Sequence, residues 1–250
     1  MDWRIHHFAV TESTNKDALG GKPGDVFVAD MQTAGRGRLD HRWISPPGEN
    51  LMMSVVVDVA DAPPQEIATL PLIAGLSAAQ AVCGLFPGGG GGFRNAHVKV
   101  KWPNDVLLDG RKLCGILCER NADAVIIGIG MNVNQTEFAP EISARATSLR
   151  IALGGGLDVV RARDAVLDSL SANIARWRKD GFASLLSELS AFDCLKGAFV
   201  AVRRTDSDTL PASGICGGIL PDGTLDVAGE SVSAGEAHIL KASGDAFAGM

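Results

Sequence analysis

The chain has no excess of positive charge: 23 Lys and Arg stand against 29 Asp and Glu, a formal net charge of −6. A globally basic nucleic-acid footprint is excluded, and any anion must be caught by a local cluster. Paired cysteines are missing too. Cys83, Cys114, Cys118, Cys194 and Cys216 make an odd number with no C-x-x-C among them, so zinc ribbons and dithiol redox motifs are out, and free thiols point to a reducing compartment, the cytoplasm. The amino terminus lacks the long apolar core of an export signal and carries Asp2. No charge falls between Glu66 and Arg94, but Pro71, Gln80, Pro87 and the glycines 88–92 interrupt that stretch, and its strongly apolar part is shorter than the roughly 20 residues of a bilayer span. No membrane segment is expected. No internal repeat is present, and the standard signatures G-x-x-x-x-G-K-[ST], H-E-x-x-H and G-x-S-x-G do not occur. Gly128-Ile129-Gly130 is not completed to G-x-G-x-x-G, because Val stands at 133.

With 250 residues, 46% hydrophobic and 21% charged, the chain buries enough apolar surface to fold, as one large domain with a small appendage. Phe8-Ala9-Val10 is short and apolar, and the hydroxyl and amide cluster Thr11 to Asn15 opens a helix through Ala18 and Leu19. Val26 to Ala29 and Leu51 to Val59 read as strands, joined by a long polar segment, Gln32 to Asn50, of the kind that is functional or mobile. Leu72, Leu76, Ala79, Cys83 and Phe86 recur at the period of a core helix with one buried face. The glycine run 88–92 reads as a surface loop without chemistry. Four strand-like runs follow, Val98 to Trp102, Val106 to Leu108, Leu113 to Glu119 and Ala124 to Ile129, with a turn at Asp109-Gly110. Two helices come next, through Val166 to Trp177 and Phe182 to Phe192. Short strands then close the chain, Phe199 to Val202, Ala212 to Leu220, Leu225 to Val227 and His238 to Leu240, and fit a small barrel. The expected fold class is α+β, a mixed central sheet with packed helices over residues 1–193 and a small β domain over 194–250.

Three segments carry chemistry. In Gln32-Thr33-Ala34-Gly35-Arg36-Gly37-Arg38-Leu39-Asp40-His41-Arg42-Trp43, glycines let the backbone approach a ligand and arginines offer planar forks of donors that match phosphate or carboxylate oxygens. In Lys99 to Leu117, paired strands bring Lys112 beside Lys101 and Asp105; an inward lysine needs an anionic partner, either a ligand or Asp105 or Glu119. In Ile126 to Asn134, glycines at a strand end leave room for a ligand against the backbone. Cys114 and Cys118, four apart on one strand face, read as small core residues.

Taken in order, Thr11-Glu12-Ser13-Thr14-Asn15, the Gln32 to Arg38 string with Trp43, Lys101-Trp102-Pro103-Asn104-Asp105, Lys112-Leu113-Cys114-Gly115-Ile116-Leu117 and Gly128-Ile129-Gly130-Met131-Asn132 resemble the biotin protein ligases. The resemblance is strong over residues 8 to about 135 and weak over the last fifty, which resemble that family's SH3-like domain. It implies biotin and ATP as substrates, Mg²⁺ with the nucleotide near Asp105 or Asn104 rather than a protein metal site, a biotinyl-AMP intermediate, and a biotin carboxyl carrier domain as acceptor. Lys112, Arg38 and Asp105 are the implied catalytic residues. Ser13, Thr14, Asn15, Gln32, Arg36, Gly37, Arg38, Lys112, Gly115, Gly128 and Gly130 are the implied biotin contacts. Arg36, Arg38, Arg42, Trp43, Lys101, Asn104, Lys112 and Asn132 are the implied nucleotide contacts, with Trp43 against adenine and the loop Arg36 to Trp43 disordered until ligand binds. The string departs from the family's GRGRRGR at Leu39-Asp40-His41-Arg42, with Asp40 adding a negative charge. Because the Ser13-Thr14-Asn15 cluster comes so early, no DNA-binding domain and no DNA partner are expected; a homodimer through a sheet edge is admitted. A lipoate or octanoate ligase of the same fold and a non-catalytic biotin or nucleotide sensor are the competing readings.

Overall fold

The computed structural model describes residues 2–38, 41–86, 97–203 and 212–240. The glycine run 88–92 and Leu39-Asp40 lie outside them. A seven-stranded sheet forms the centre: β1 (Arg4–Thr11), β2 (Asp25–Gln32), β3 (Leu51–Asp58), β4 (Val98–Lys101), β5 (Asp105–Leu108), β6 (Arg111–Asn121) and β7 (Ala124–Met131), in the order β1-β2-β3-β7-β6-β5-β4. Only β1 and β2 run parallel, so the sheet is mixed. β2, β3 and β7 are buried almost throughout, as their runs of Val, Ile and Met require. β1 is longer than the apolar triplet Phe8 to Val10 and largely exposed; as an edge strand it needs only one neighbour.

The helices are α1 (Thr14–Asp17), α2 (Pro64–Ile67), α3 (Leu70–Leu85), α4 (Pro140–Ser143), α5 (Leu149–Leu153), α6 (Val159–Asp180) and α7 (Leu186–Phe192), with single 3₁₀ turns at Ala18–Gly20 and Phe182–Leu185. The expected core helix is α3, but it is buried nearly all round rather than on one face, because α6 covers the side turned away from the sheet. The stretch Pro64–Leu85 has the length and composition of a membrane span, yet most of it is packed inside the protein. α6 starts on Asp158, whose side chain accepts from the Val160 amide, and stops at Gly181 with φ +73°. The turn at Asp109-Gly110 has both residues at positive φ, 51° and 75°, the geometry a two-residue hairpin wants.

A second, antiparallel sheet holds β8 (Phe199–Arg203), β9 (Ala212–Ile219), β10 (Leu225–Val227), β11 (Glu230–Val232) and β12 (Glu236–Ile239), in the order β11-β10-β9-β8-β12. It docks on the first at the β4–β5 end. Cys194 N donates to Val100 O at 3.1 Å, and Trp102 Nε1 donates to Gly223 O at 3.1 Å.

Candidate active site

The pocket floor is a patch of sheet from which side chains have been removed. Ser54, Gly128 and Leu117 lie side by side across β3, β7 and β6, and Met52, Gly130 and Gly115 form the next row. A Cβ on Gly128 would run into Asn15 Oδ1, and one on Gly130 into the Trp43 ring. The glycines thus admit two layers of side chains, α1 over one row and Trp43 over the other.

Over the first row the side chains of Thr14, Asn15, Gln32 and Ser54 are neutral and bonded to one another, with one carboxylate, Glu119, at the edge. Gln32 Oε1 accepts from the Thr14 amide at 2.7 Å and from Thr14 Oγ1 at 3.1 Å. Ser54 Oγ lies 2.7 Å from Thr14 Oγ1 and 2.5 Å from Asn15 Oδ1, sharing its one hydrogen. Asn15 Nδ2 donates to Glu119 Oε2 at 2.6 Å and to Leu117 O at 3.4 Å. Thr14, Asn15 and Ser54 are buried, so the network is held at low dielectric with its donors and acceptors already directed. Ser13 is buried as the cap of α1 but makes no side-chain cap bond; the helix-opening cluster spends its side chains on β2, β3 and β6 rather than on capping.

Over the second row the groups are charged. Lys112 should face away from Gly115, since they are three apart on a strand, but a register shift pairs Val106 with Cys114 and Leu107 with Lys112. This β-bulge turns Lys112 onto the Gly115 face, where a Cβ on Gly115 would meet Lys112 Cε at 3.2 Å. Lys112 Nζ pairs with Asp105 Oδ1 at 2.7 Å, and the lysine side chain is 40% exposed, so it is not the buried, unpaired cation that would demand a ligand. Arg38 Nη1 donates to Asn104 Oδ1 at 3.2 Å and to Gly235 O, from the second sheet, at 3.4 Å. Arg36 Nη2 pairs with Glu119 Oε2 at 2.8 Å. Arg42 Nη2 reaches only its own loop, Thr33 O at 3.5 Å. Two backbone bonds shape the described part of the loop: Gly37 N donates to His41 O at 2.6 Å and Trp43 N to Gly35 O at 3.0 Å.

These groups surround one cavity of about 140 Å³, and a cleft of about 730 Å³ shares its loop wall, Arg36 to Arg38. The inner space is below the roughly 300–1,000 Å³ of a small-molecule site, because Trp43 fills the region over Gly130. Its Nε1 is buried without a partner, a donor left over for a ligand or a moved loop. Ser13, Thr14, Asn15, Gln32, Arg36, Gly37, Arg38, Arg42, Trp43, Lys101, Asn104, Asp105, Lys112, Gly115, Gly128 and Gly130 all line the cavity. Asn132 does not: it is buried beyond the pocket wall, and its amide donates to Thr147 O at 3.0 Å. Met52, Leu117 and Glu236 line the cavity without having been singled out in the sequence, and Ser54 sits in its polar floor. Ser54 stands as a polar residue in the middle of an apolar strand, a signal that was available. Among the described residues no three His, Cys, Asp or Glu side chains form a metal cluster. Burial pushes the Cys114 and Cys118 thiols up to about 12, which disfavours the thiolate. Burial, reinforced by the Lys101 charge, pulls His238 of the second sheet below its ordinary value.

The biotin/lipoate A/B protein ligase family model matches residues 8–134. A biotin–[acetyl-CoA-carboxylase] ligase of Mycobacterium tuberculosis is 37% identical over 183 residues, 70% of this chain and 66% of the relative. That of Paracoccus denitrificans is 33% identical over 233 residues, 87% of this chain and 91% of the relative. Four bacterial relatives named as bifunctional ligase/repressors are spanned over only 41 to 58% of their length. Among solved structures, a biotin protein ligase of Aquifex aeolicus in complex with biotin and ATP superposes with a TM-score of 0.80 at 26% identity, over 95% of this chain and 99% of that one. The α+β fold with its second β sheet is the fold of these ligases, and the chain belongs to the biotin/lipoate A/B protein ligase family.

Proposed function

We propose that the chain joins biotin to a lysine of a biotin carboxyl carrier domain in two steps, through biotinyl-AMP, using ATP. The observation that carries the reading is the convergence on one cavity of a neutral, directed floor and a charged rim: Thr14, Asn15 and Gln32 on one side, Lys112, Arg36 and Arg38 on the other. A bicycle with a polar ureido head suits the first half, and a carboxylate beside phosphates suits the second.

In the first step a carboxylate oxygen of biotin attacks the α-phosphorus of ATP, the new C–O–P linkage forms, and pyrophosphate leaves. Two anions must meet, and Lys112, presented by the bulge of β6, is placed to offset their repulsion and the charge that grows on the phosphoryl oxygens. To do so it gives up Asp105. Arg38, fixed between Asn104 and Gly235, holds the nucleotide's phosphates from the loop side. In the second step the carrier's lysine amine attacks the acyl carbon and AMP leaves. The loop Arg36 to Trp43 then keeps water from the mixed anhydride. Asp105, Asn104 and Glu236 offer oxygen donors at the cavity, too few for a dedicated cage but able to help hold a magnesium ion brought with the nucleotide, which would neutralise phosphate charge. The five free cysteines support a cytoplasmic setting for the reaction, and a catalytic unit over 1–193 with a small β unit over 194–250 belongs to the same reading.

Pyrophosphate exchange with biotin, lipoate and octanoate in turn, followed by transfer to a purified carrier domain, tests this. Exchange with biotin alone and label on the carrier lysine are expected. Exchange only with lipoate or octanoate would move the chain to the other branch of its family, and biotin binding without exchange would make it a sensor.

A further inference from the structure

The two halves of the cavity share one atom. Glu119 Oε2 accepts from Asn15 Nδ2 at 2.6 Å and from Arg36 Nη2 at 2.8 Å. Asn15 belongs to the buried floor, and Arg36 to the exposed loop, with half of its side chain in solvent. No other side chain joins the floor network to the loop among the described residues. Glu119 also lies beyond the stretch of β6 that β5 covers, across from Ile126 of β7, so it reaches up past the sheet edge while its backbone remains fixed.

As an ion pair, Glu119–Arg36 is too exposed to matter much for stability. As an acceptor for Asn15 it does something else. The Asn15 amide has its oxygen against Ser54 and its nitrogen against Leu117 O and Glu119. That carboxylate therefore selects which end of the amide faces β3 and which faces β6, and with it the pattern presented to a bound head group. Because one oxygen serves both donors, a shift of either changes the bond to the other.

We propose that Glu119 is a positioning residue that sets the Asn15 amide and ties the arginine loop to the floor, so that filling the floor changes how tightly the loop is held. The inference rests on the ligase reading for its substrate, but the tie itself exists without one.

The test compares the wild type with Glu119→Ala and Glu119→Gln by hydrogen exchange of the segment 34–43, by biotin KM and kcat in pyrophosphate exchange, and by thermal unfolding. In Glu119→Ala the loop amides exchange faster in the ligand-free protein, and biotin KM rises about tenfold, the loss of one charge-assisted hydrogen bond. The kcat at saturating biotin and the unfolding midpoint stay near wild type. Glu119→Gln keeps a carbonyl oxygen for Asn15 and loses the charge for Arg36, so KM returns toward wild type while loop exchange remains fast. Wild-type loop exchange in Glu119→Ala, or an equal rise in KM in both variants, overturns the proposal. Absence of biotin-dependent exchange in the wild type would instead sink the ligase reading, and the ligand-free loop comparison would still judge the tie.

Discussion

The floor over Ser54 and Gly128 and the rim around Lys112 solve the same problem, holding polar groups ready for a ligand, in opposite ways. On the floor, Thr14, Asn15, Gln32 and Ser54 are uncharged and bonded to one another, which costs little when empty because each bond replaces one to water. On the rim, three cations have an internal substitute for the ligand: Asp105 for Lys112, Asn104 and the Gly235 carbonyl for Arg38, Glu119 for Arg36. Neutral recognition can be prebuilt. Charged recognition is kept in reserve behind partners that must be exchanged, and those partners come from distant segments, one of them the second sheet.

If that division is right, removing the Lys112 charge, which has no bond to the floor, strikes the chemistry and leaves the floor alone. Lys112→Ala should lower the rate of biotinyl-AMP formation by about two to three orders of magnitude, the scale on which a directed donor to a developing oxyanion acts. Stability should change by no more than about 1 kcal/mol, since the Asp105 pair is partly exposed, and biotin should still bind. Single-turnover adenylation with calorimetric biotin binding checks this, and a variant that lost biotin binding as fully as chemistry would erase the distinction between the two regions.

A smaller effect, on the other side of the comparison, is expected from Gly128→Ala. The new methyl group would occupy the place of Asn15 Oδ1, so the amide must turn away from Ser54, at a cost of about 1–3 kcal/mol in buried hydrogen bonding. Biotin KM should rise about tenfold or more while kcat at saturation changes less. Gly84→Ala, on α3 with no atom within 4 Å of the added carbon, is the control and should be neutral or mildly stabilising.

Much of this arrangement was legible in the residues. Lys112, the loop arginines and the three glycines announce themselves because their types are poor packing choices where they stand. Other features had no local mark. The bulge that turns Lys112 toward Gly115 is a matter of strand register, which no single residue specifies. Ser54 is marked as a polar residue in an apolar run, but nothing local names its partners, 40 and 39 positions away. Asn132 illustrates the converse: its place after the glycines resembles a ligand contact, but the chain turns there and Thr147 O takes the amide. Gly235 and Glu236 reach the cavity only because the second sheet packs where it does.

That last dependence gives the finest test. Trp102 stands inside one of the motifs that carry the resemblance, yet its ring is buried and its Nε1 is spent on Gly223 O, in the turn between β9 and β10. Trp102→Phe keeps an aromatic ring in the core and removes the one bond, leaving a carbonyl without its donor, and should cost about 1–3 kcal/mol of stability in denaturant unfolding. The floor touches the second sheet nowhere in its hydrogen-bond network, so biotin binding should be unaltered. Arg38 does touch it, through Gly235 O, and a second sheet held less firmly should raise the KM for ATP by roughly two- to threefold, less than one full hydrogen bond. Equal loss of biotin and ATP affinity in that variant would mean that floor and rim answer to a common support, and that the separation between them is only one of charge.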